Sequence, residues 1–145
     1  MRHGKLAFLA LSLIAAPALA QNDGPTFDKG PVWDFADIKT VDGHFDDYMA
    51  WLAGPWKEQQ EAMKKAGYIM DYKVMLVSDP REGEPDIILA TQYANMAAFD
   101  HSTADEYSLG KKIWGSMSKA NQEQAARSSI RTVMGDMLVR EAILK

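Results

Sequence analysis

The feature that most constrains the fold is a set of extended segments that are apolar on both sides. Side chains alternate between the two faces of a strand, so a strand with one solvent-exposed face alternates between apolar and polar residues. Residues 69–78, 86–93 and 137–144 do not alternate in this way. In the first of these segments the two apolar sets are Met70, Tyr72, Val74 and Leu76 on one face, and Ile69, Met75 and Val77 on the other. Both faces of the resulting sheet therefore need to be covered.

The order of the predicted elements indicates the fold class. Strands are predicted over residues 32–40, 69–78, 86–93 and 137–144, and helices over 45–66, 104–119 and 121–135. Pro55 is expected to kink the first helix, Gly67 to end it, and Gly135 to close the last one. This order is that of a ferredoxin-like α+β fold: strand, helix, strand, strand, helical region, strand. We therefore expect a four-stranded antiparallel sheet with its helices on one face, formed as a single domain by residues 32–145.

A single chain of this length has no segment left to cover the second face of such a sheet. Leaving that face wet would expose an apolar patch larger than monomers usually carry. The sequence therefore predicts a homodimer in which two sheets pack face to face.

The N-terminus has the three parts of a cleavable signal peptide. Arg2 and Lys5 precede an apolar run over residues 6–16, and Ala18-Leu19-Ala20 supplies small residues for cleavage. The run is too short to span a membrane. We expect cleavage after Ala20, a periplasmic or secreted protein with no membrane association, and a flexible arm over residues 21–31.

Composition excludes several classes of function. The 145-residue chain has no cysteine, which removes disulfides, thiol nucleophiles and thiolate metal sites. With 3 histidines, one of them in the signal segment, a multi-histidine metal centre is not expected. The 20 acidic residues outnumber the 16 basic ones, and no basic run is present, so nucleic acid is not an expected partner.

The strand order, the two-faced strands and the segment over residues 95–100 resemble the dimeric α/β-barrel superfamily. That group contains cofactor-free monooxygenases, enzymes that bind or degrade haem, and small proteins with no assigned activity. The resemblance implies that haem is the one cofactor to consider. It carries no catalytic motif that could be transferred to this sequence.

His101 is the one candidate catalytic residue, as a general base or haem ligand oriented by a neighbouring acid. The alternative is structural: Ser102 or Thr103 caps a helix, and Asp105 or Glu106 lies in its first turn. His44 lies at a predicted helix start near acids whose oxygens could bind a divalent cation, but their spacing matches no calcium loop. The alternative is that these are solvated first-turn acids favoured by the helix dipole. No metal site is predicted.

Polar residues inside the apolar strands form the last candidate group, because buried charges need partners. They are Asp71, Lys73, Thr91, Gln92, Arg140 and Glu141. They could line a ligand cavity, pair at a dimer interface, or point into water. The predicted ligand-binding set is Trp33, Tyr72, Tyr93, His101, Trp114 and Arg140. We thus expect a small exported protein, a homodimer that binds an apolar or aromatic molecule between sheet and helices. The alternative is a cofactor-free monooxygenase or haem-handling enzyme.

Overall fold

A computed structural model describes residues 24–145; the predicted signal peptide and the start of the predicted arm lie outside the described residues. The strands are β1 (Phe27–Thr40), β2 (Asp71–Leu76), β3 (Ile87–Tyr93) and β4 (Arg131–Leu144). The helices are α1 (Phe45–Trp51), α2 (Lys57–Lys65), α3 (Thr103–Trp114) and α4 (Met117–Arg127). A π turn (Leu52–Trp56) joins α1 to α2, and a 3-10 turn (Met96–Phe99) follows β3. Within residues 24–145, no helix has the length and apolar character needed to span a membrane.

The four strands form one open antiparallel sheet in the order β2-β3-β1-β4. This order confirms the predicted ferredoxin-like fold. β1 is central and runs between β3 and β4, so the first and last strands of the chain are neighbours.

The predicted interruption of the first helix is a π turn rather than a break. Pro55 has no N–H to give to the helix, so the hydrogen-bond ladder widens by one residue there. The N–H of Lys57 donates to the carbonyl of Leu52, and α2 then continues. Gly67, with φ of +79°, ends the segment, because Tyr68 and Gly67 donate back to Met63 and Lys64 in a Schellman motif.

The core lies where α1 and the π turn meet the sheet. Tyr48, Leu52 and Trp56 form the buried stripe that helical spacing predicted. They pack against Ile38 of β1 and Ile87 of β3, which are paired with each other across the sheet. This contact places the helices on one sheet face, as predicted.

The end of the predicted helical region was wrong. α3 stops at Trp114, where Gly115 adopts a φ of +79°, and α4 ends at Arg127. The hydroxyls of Ser128 and Ser129 donate to carbonyls of the last helical turn, so the chain leaves the helix there. Residues 131–135, which were predicted to be helical, form the start of β4, and Gly135 pairs with Asp37 of β1.

β1 begins earlier than predicted. Residues 27–31 were assigned to a flexible arm, but they belong to β1, and Phe27 pairs with Leu144. An irregularity in the pairing between Lys29 and Val32 accommodates Gly30 and Pro31. The prediction of a flexible arm was wrong over these five residues, because β4 is long enough to pair with them.

Candidate functional site

A groove of about 840 Å³ lies between the α2 segment and the α3–α4 pair. Its aromatic and aliphatic wall includes Tyr68, Leu109, Ile113 and Trp114. The remaining lining residues are Pro55, Glu58, Gln59, Ala62, Ala66, Lys112, Gly115, Lys119 and Glu123. The groove thus offers an apolar wall bordered by charged and polar groups.

Two glycines shape this wall. Gly110 is buried, and a Cβ there would overlap the Sδ of Met117 and approach the Trp114 ring to 3.1 Å. Its lack of a side chain allows the start of α4 to fold against α3. Gly115 then turns the chain between the two helices with a φ that a residue with a side chain rarely adopts. The position of Trp114 in the groove depends on both.

A second pocket of about 450 Å³ adjoins the groove, since Ala66 and Tyr68 line both. His101 lines this pocket, and its imidazole meets the Tyr68 ring edge-on at a centroid distance of 5.8 Å. The ends of the strands also contribute here, through Ile69, Met70, Ala94 and Asn95. His101 and Trp114 are therefore the two predicted ligand-binding residues that the structure places in one connected cavity.

The polar cluster around His101 contains a helix cap. The Ser102 Oγ accepts from the N–H of Asp105 at 3.2 Å and donates to the Asp105 carboxylate at 2.6 Å. Asp105 and Glu106 lie in the first turn of α3, where the helix dipole favours negative charge. The helix thus accounts for Ser102, Asp105 and Glu106 without a catalytic role for them.

Removing this cap gives a direct measure of its role. Ser102→Ala should lower the free energy of unfolding by about 1 kcal/mol, because an N–H at the start of α3 loses its acceptor. Ser108→Ala, an exposed substitution within the same helix, is the control and should change stability by less than about 0.5 kcal/mol. Urea denaturation of the three proteins measures both values. Equal effects of the two substitutions would contradict the assignment of Ser102 as the cap.

A different predicted residue, Trp33, lies on the sheet face opposite the helices, which we call the open face. Its Nε1–H donates to the Glu141 carboxylate at 2.6 Å, and the Gln92 amide donates to the same oxygen at 3.3 Å. The Lys73 ammonium lies 5.0 Å from the centroid of the Trp33 ring. Three of the polar strand residues thus converge on one tryptophan. Gly30 makes room for them, since a Cβ there would lie 2.9 Å from the Glu141 Cβ.

Apolar side chains surround this cluster on the open face. Phe35 stacks beside Trp33 at a centroid distance of 6.1 Å. The strand pairing places Met137 and Val139 beside them on β4, where these side chains are 56% and 38% exposed. The residues of this face include Trp33, Phe35, Asp37, Lys73, Met75, Ile88, Ala90, Gln92, Met137, Val139 and Glu141. The open face is therefore an apolar surface with a small polar centre.

The other predicted ligand-binding residues lie elsewhere and do not join the groove. Tyr72 faces the helices, where it packs against Trp56 and donates to Glu61 at 2.5 Å, which raises the Tyr72 pKa to about 12. Tyr93 packs against Phe99 at a centroid distance of 4.5 Å. Arg140 donates from Nε to the carbonyl of Gly30 at 3.2 Å. The six predicted residues thus divide between the two sheet faces and the helical layer.

Asp34 and Asp136 lie on the helix side of the sheet, on the neighbouring strands β1 and β4. Burial raises the pKa of Asp34, and the negative charge of Asp136 raises it further. The Tyr93 pKa is also raised, first by burial and then by the charge of Asp34. The raised pKa means that the Asp34 carboxyl keeps its proton to a higher pH than a surface carboxyl does.

Residues 24–145 contain no group of three or more His, Asp or Glu side chains arranged to hold a metal ion. His44 is engaged locally, since its Nδ1 lies 2.8 Å from the Asp47 carboxylate. Sequence reasoning missed Tyr68, Leu109 and Ala62 as groove residues. Their signal was weak because a groove between helices is lined by exposed helix positions, which carry no distinct pattern.

No family model matches the sequence, and no curated protein matches it. The structure is similar to that of HapK from Hahella chejuensis, with a TM-score of 0.52 and 13% identity, over 76% of this chain and 91% of that one. It is also similar to protein SO0527 from Shewanella oneidensis, with a TM-score of 0.51 and 14% identity, over 81% of this chain and 96% of that one. At these identities the likeness establishes the fold alone. The chain therefore has the ferredoxin-like fold that its resemblance to the dimeric α/β-barrel superfamily predicted.

Proposed function

We propose that this chain is an exported, homodimeric binding protein for a small apolar or aromatic molecule. The observation that carries the binding role is the groove between α2 and the α3–α4 pair. Its volume of about 840 Å³ lies within the range of drug-sized ligand sites. Tyr68 and Trp114 provide aromatic surface, and the neighbouring pocket with His101 extends the cavity towards the sheet.

The homodimer is supported by the open face. Exposed Met75, Met137 and Val139 surround Trp33 and Phe35 on a continuous sheet surface. The helices lie on the other face and cannot cover it. A second copy of the same sheet supplies a surface of matching shape and character. Face-to-face packing also accounts for strands that are apolar on both sides.

Export rests on the sequence of residues 1–20, and the whole chain has no cysteine. Such a protein reaches an oxidising compartment without disulfides. Mass spectrometry of the mature protein from the producing cell would test this, with Gln21 expected as the first residue. An intact Met1 on the purified protein would contradict export by cleavage.

The enzymatic alternative depends on His101 as a haem ligand or general base. The pocket that His101 lines contains no Lys or Arg among the described residues, so a cation for the haem propionates would have to come from Lys112 or Lys119 of the adjoining groove. The residues present therefore fit an apolar group better than haem, and we derive no step through that cofactor. Haemin titration would show the alternative as a Soret shift that is lost in His101→Ala.

Ligand binding in the groove can be tested with the neutral fluorescent probe N-phenyl-1-naphthylamine. Ala62 lines the groove from an exposed position on α2, so Ala62→Trp would fill it without opening a cavity in the core. We expect probe affinity to fall at least about 10-fold, which corresponds to the loss of apolar contacts worth about 1.4 kcal/mol.

The matched control is Ala125→Trp, which adds the same ring to an exposed position of α4 outside the groove. Its affinity for the probe should equal that of the unsubstituted protein. Equal binding by all three proteins would show that the probe binds elsewhere, and it would overturn the groove as the site. Native mass spectrometry of protein purified without added ligand would then identify any small molecule retained by the chain.

A further inference from the structure

Two arginines with no acidic partner lie where α4 gives way to β4. Arg127 is the last residue of α4, and Arg131 is the first residue of β4, beside Thr40 of β1. The guanidinium carbon of Arg127 lies 4.2 Å from the centroid of the Trp51 ring. Trp51 in turn stacks on Tyr48 at a centroid distance of 5.5 Å, and the positive charge of Arg131 is close enough to Tyr48 to offset part of the rise that burial causes in the Tyr48 pKa. Two cations are thus held close together on an aromatic platform.

Neither arginine has its hydrogen-bonding capacity filled. Within residues 24–145, neither forms an ion pair, and the Nε atoms of both are enclosed without a hydrogen-bond partner. A buried N–H with no acceptor costs about 1–3 kcal/mol, and more when the group is charged. The proximity of Arg131 adds repulsion, and burial with that repulsion lowers the pKa of the Arg127 guanidinium.

The carboxylates nearest in the fold have other partners. Glu123 lies one helical turn before Arg127, but its carboxylate is 3.8 Å from the Lys119 ammonium. Asp86 accepts from the Thr40 backbone and hydroxyl at 3.1 and 2.6 Å. Asp47, next to Tyr48, is bonded to His44. The charge of Glu123 acts on Arg127, but within residues 24–145 no carboxylate forms a hydrogen bond or an ion pair with either arginine.

We propose that Arg127 and Arg131 form a binding site for an oxyanion, the carboxylate or phosphate group of a small molecule. The planar guanidinium fork presents Nε and Nη donors side by side, which matches the spacing of two oxygens on such a group. A single anion that accepts from the accessible donors of both guanidinium groups would offset the repulsion between the two positive charges. The hydroxyl of Tyr48 and the Trp51 ring would hold the two side chains in position.

The arginine pair lies near residues that line the groove. Glu123 and Pro55 are lining residues; Arg127 lies one turn beyond Glu123, and Trp51 lies one turn before Pro55. A ligand with an apolar body in the groove would therefore place an acidic head at the arginines. This extension, which rests on the proposed function, identifies the ligand as an apolar organic acid. The oxyanion site itself does not depend on it.

The site can be tested on the full-length mature protein labelled with ¹⁵N, by following the Nε–H signals of arginine during titration. Inorganic phosphate and acetate should each produce a saturable shift of the Arg127 and Arg131 signals. Arg127→Gln and Arg131→Gln should each weaken binding at least about 10-fold, the loss expected for one charged hydrogen bond. Arg81→Gln, in the exposed hairpin loop, removes the same charge and should leave affinity unchanged.

The titration of the unsubstituted protein tests the proposal even if a variant folds poorly. The absence of a saturable shift at these two signals with either anion would overturn the proposal. Equal weakening by Arg81→Gln would do the same, because it would indicate general charge attraction. Octanoate should bind more tightly than acetate, and Ala62→Trp should remove that advantage while leaving acetate binding intact. Octanoate and acetate binding equally would reject the extension into the groove and leave the oxyanion site standing.

Discussion

Val139→Asp is expected to convert a dimer into monomers. Val139 lies on the open face beside Trp33, where it is 38% exposed in the single chain. In a two-fold dimer the substitution introduces a carboxylate on each side of the same interface. An uncompensated buried charge costs several kcal/mol, so dissociation should increase more than about 100-fold. Light scattering coupled to size exclusion at micromolar concentration measures the outcome.

Leu138→Asp is the matched control for this experiment. Leu138 is adjacent on β4 and 50% exposed, but its side chain lies on the opposite sheet face. The same change of residue type should leave the dimer intact, because that face is not part of the proposed interface. If the unsubstituted protein is a monomer, the homodimer proposal is wrong. If Leu138→Asp dissociates the dimer and Val139→Asp does not, the interface lies on the other sheet face.

The second large effect concerns the core. Ile87→Ala should destabilise the protein by about 2–5 kcal/mol, because it removes a fully buried side chain and leaves a cavity. Ile87 has 0% exposure and packs with Ile38, Tyr48 and Trp56 where the first helix meets the sheet. For a domain of this size, the midpoint of thermal unfolding should fall by roughly 10 °C or more. Calorimetry at one fixed protein concentration is required, since dimerisation also stabilises the fold.

Leu144→Ala provides the comparison. It removes a side chain of similar size from the end of β4, where Leu144 is 80% exposed. The expected change in the free energy of unfolding is below about 0.5 kcal/mol. A comparable loss in both variants would mean that the core does not centre on Ile87 and Ile38.

The fold was predictable from sequence because its strongest patterns are local. The stripe of Tyr48, Leu52 and Trp56 has helical spacing, and each of the three is buried. Gly67 ends the helical segment through a Schellman motif, which depends on a single residue. β2 and β3 carry apolar side chains on both faces. This pattern predicted a sheet that is covered on both sides, because strands with one solvent-exposed face alternate between apolar and polar residues.

The failures arose where long-range pairing competes with local preference. Residues 131–135 have an apolar spacing that suits a helix, yet pairing with β1 holds them in β4. The same pairing draws residues 27–31 into β1, although Gly30 and Pro31 disfavour a regular strand. No local pattern reports the register between two strands from opposite ends of the sequence.

The candidate site was harder to predict than the fold. Trp114 and His101 were identified as ligand-binding candidates, and they line adjoining cavities. Trp33 was assigned to the same site, but it faces away from the helices, since residue types alone do not separate the two faces of a doubly apolar strand. Arg127 and Arg131 were not among the predicted site residues. Their environment depends on the end of α4, which the sequence placed too late.

The pairing of β1 with β4 has a consequence for how the chain acquires its structure. β1 is made first and β4 last, yet they are neighbours along nearly their whole length. Until β4 has been synthesised, the central strand has only one hydrogen-bonded neighbour, and the sheet ends at β1. Contacts between distant parts of a sequence form slowly, because a long loop must close before they are made. The order of the strands therefore delays completion of the sheet until β4 has been made.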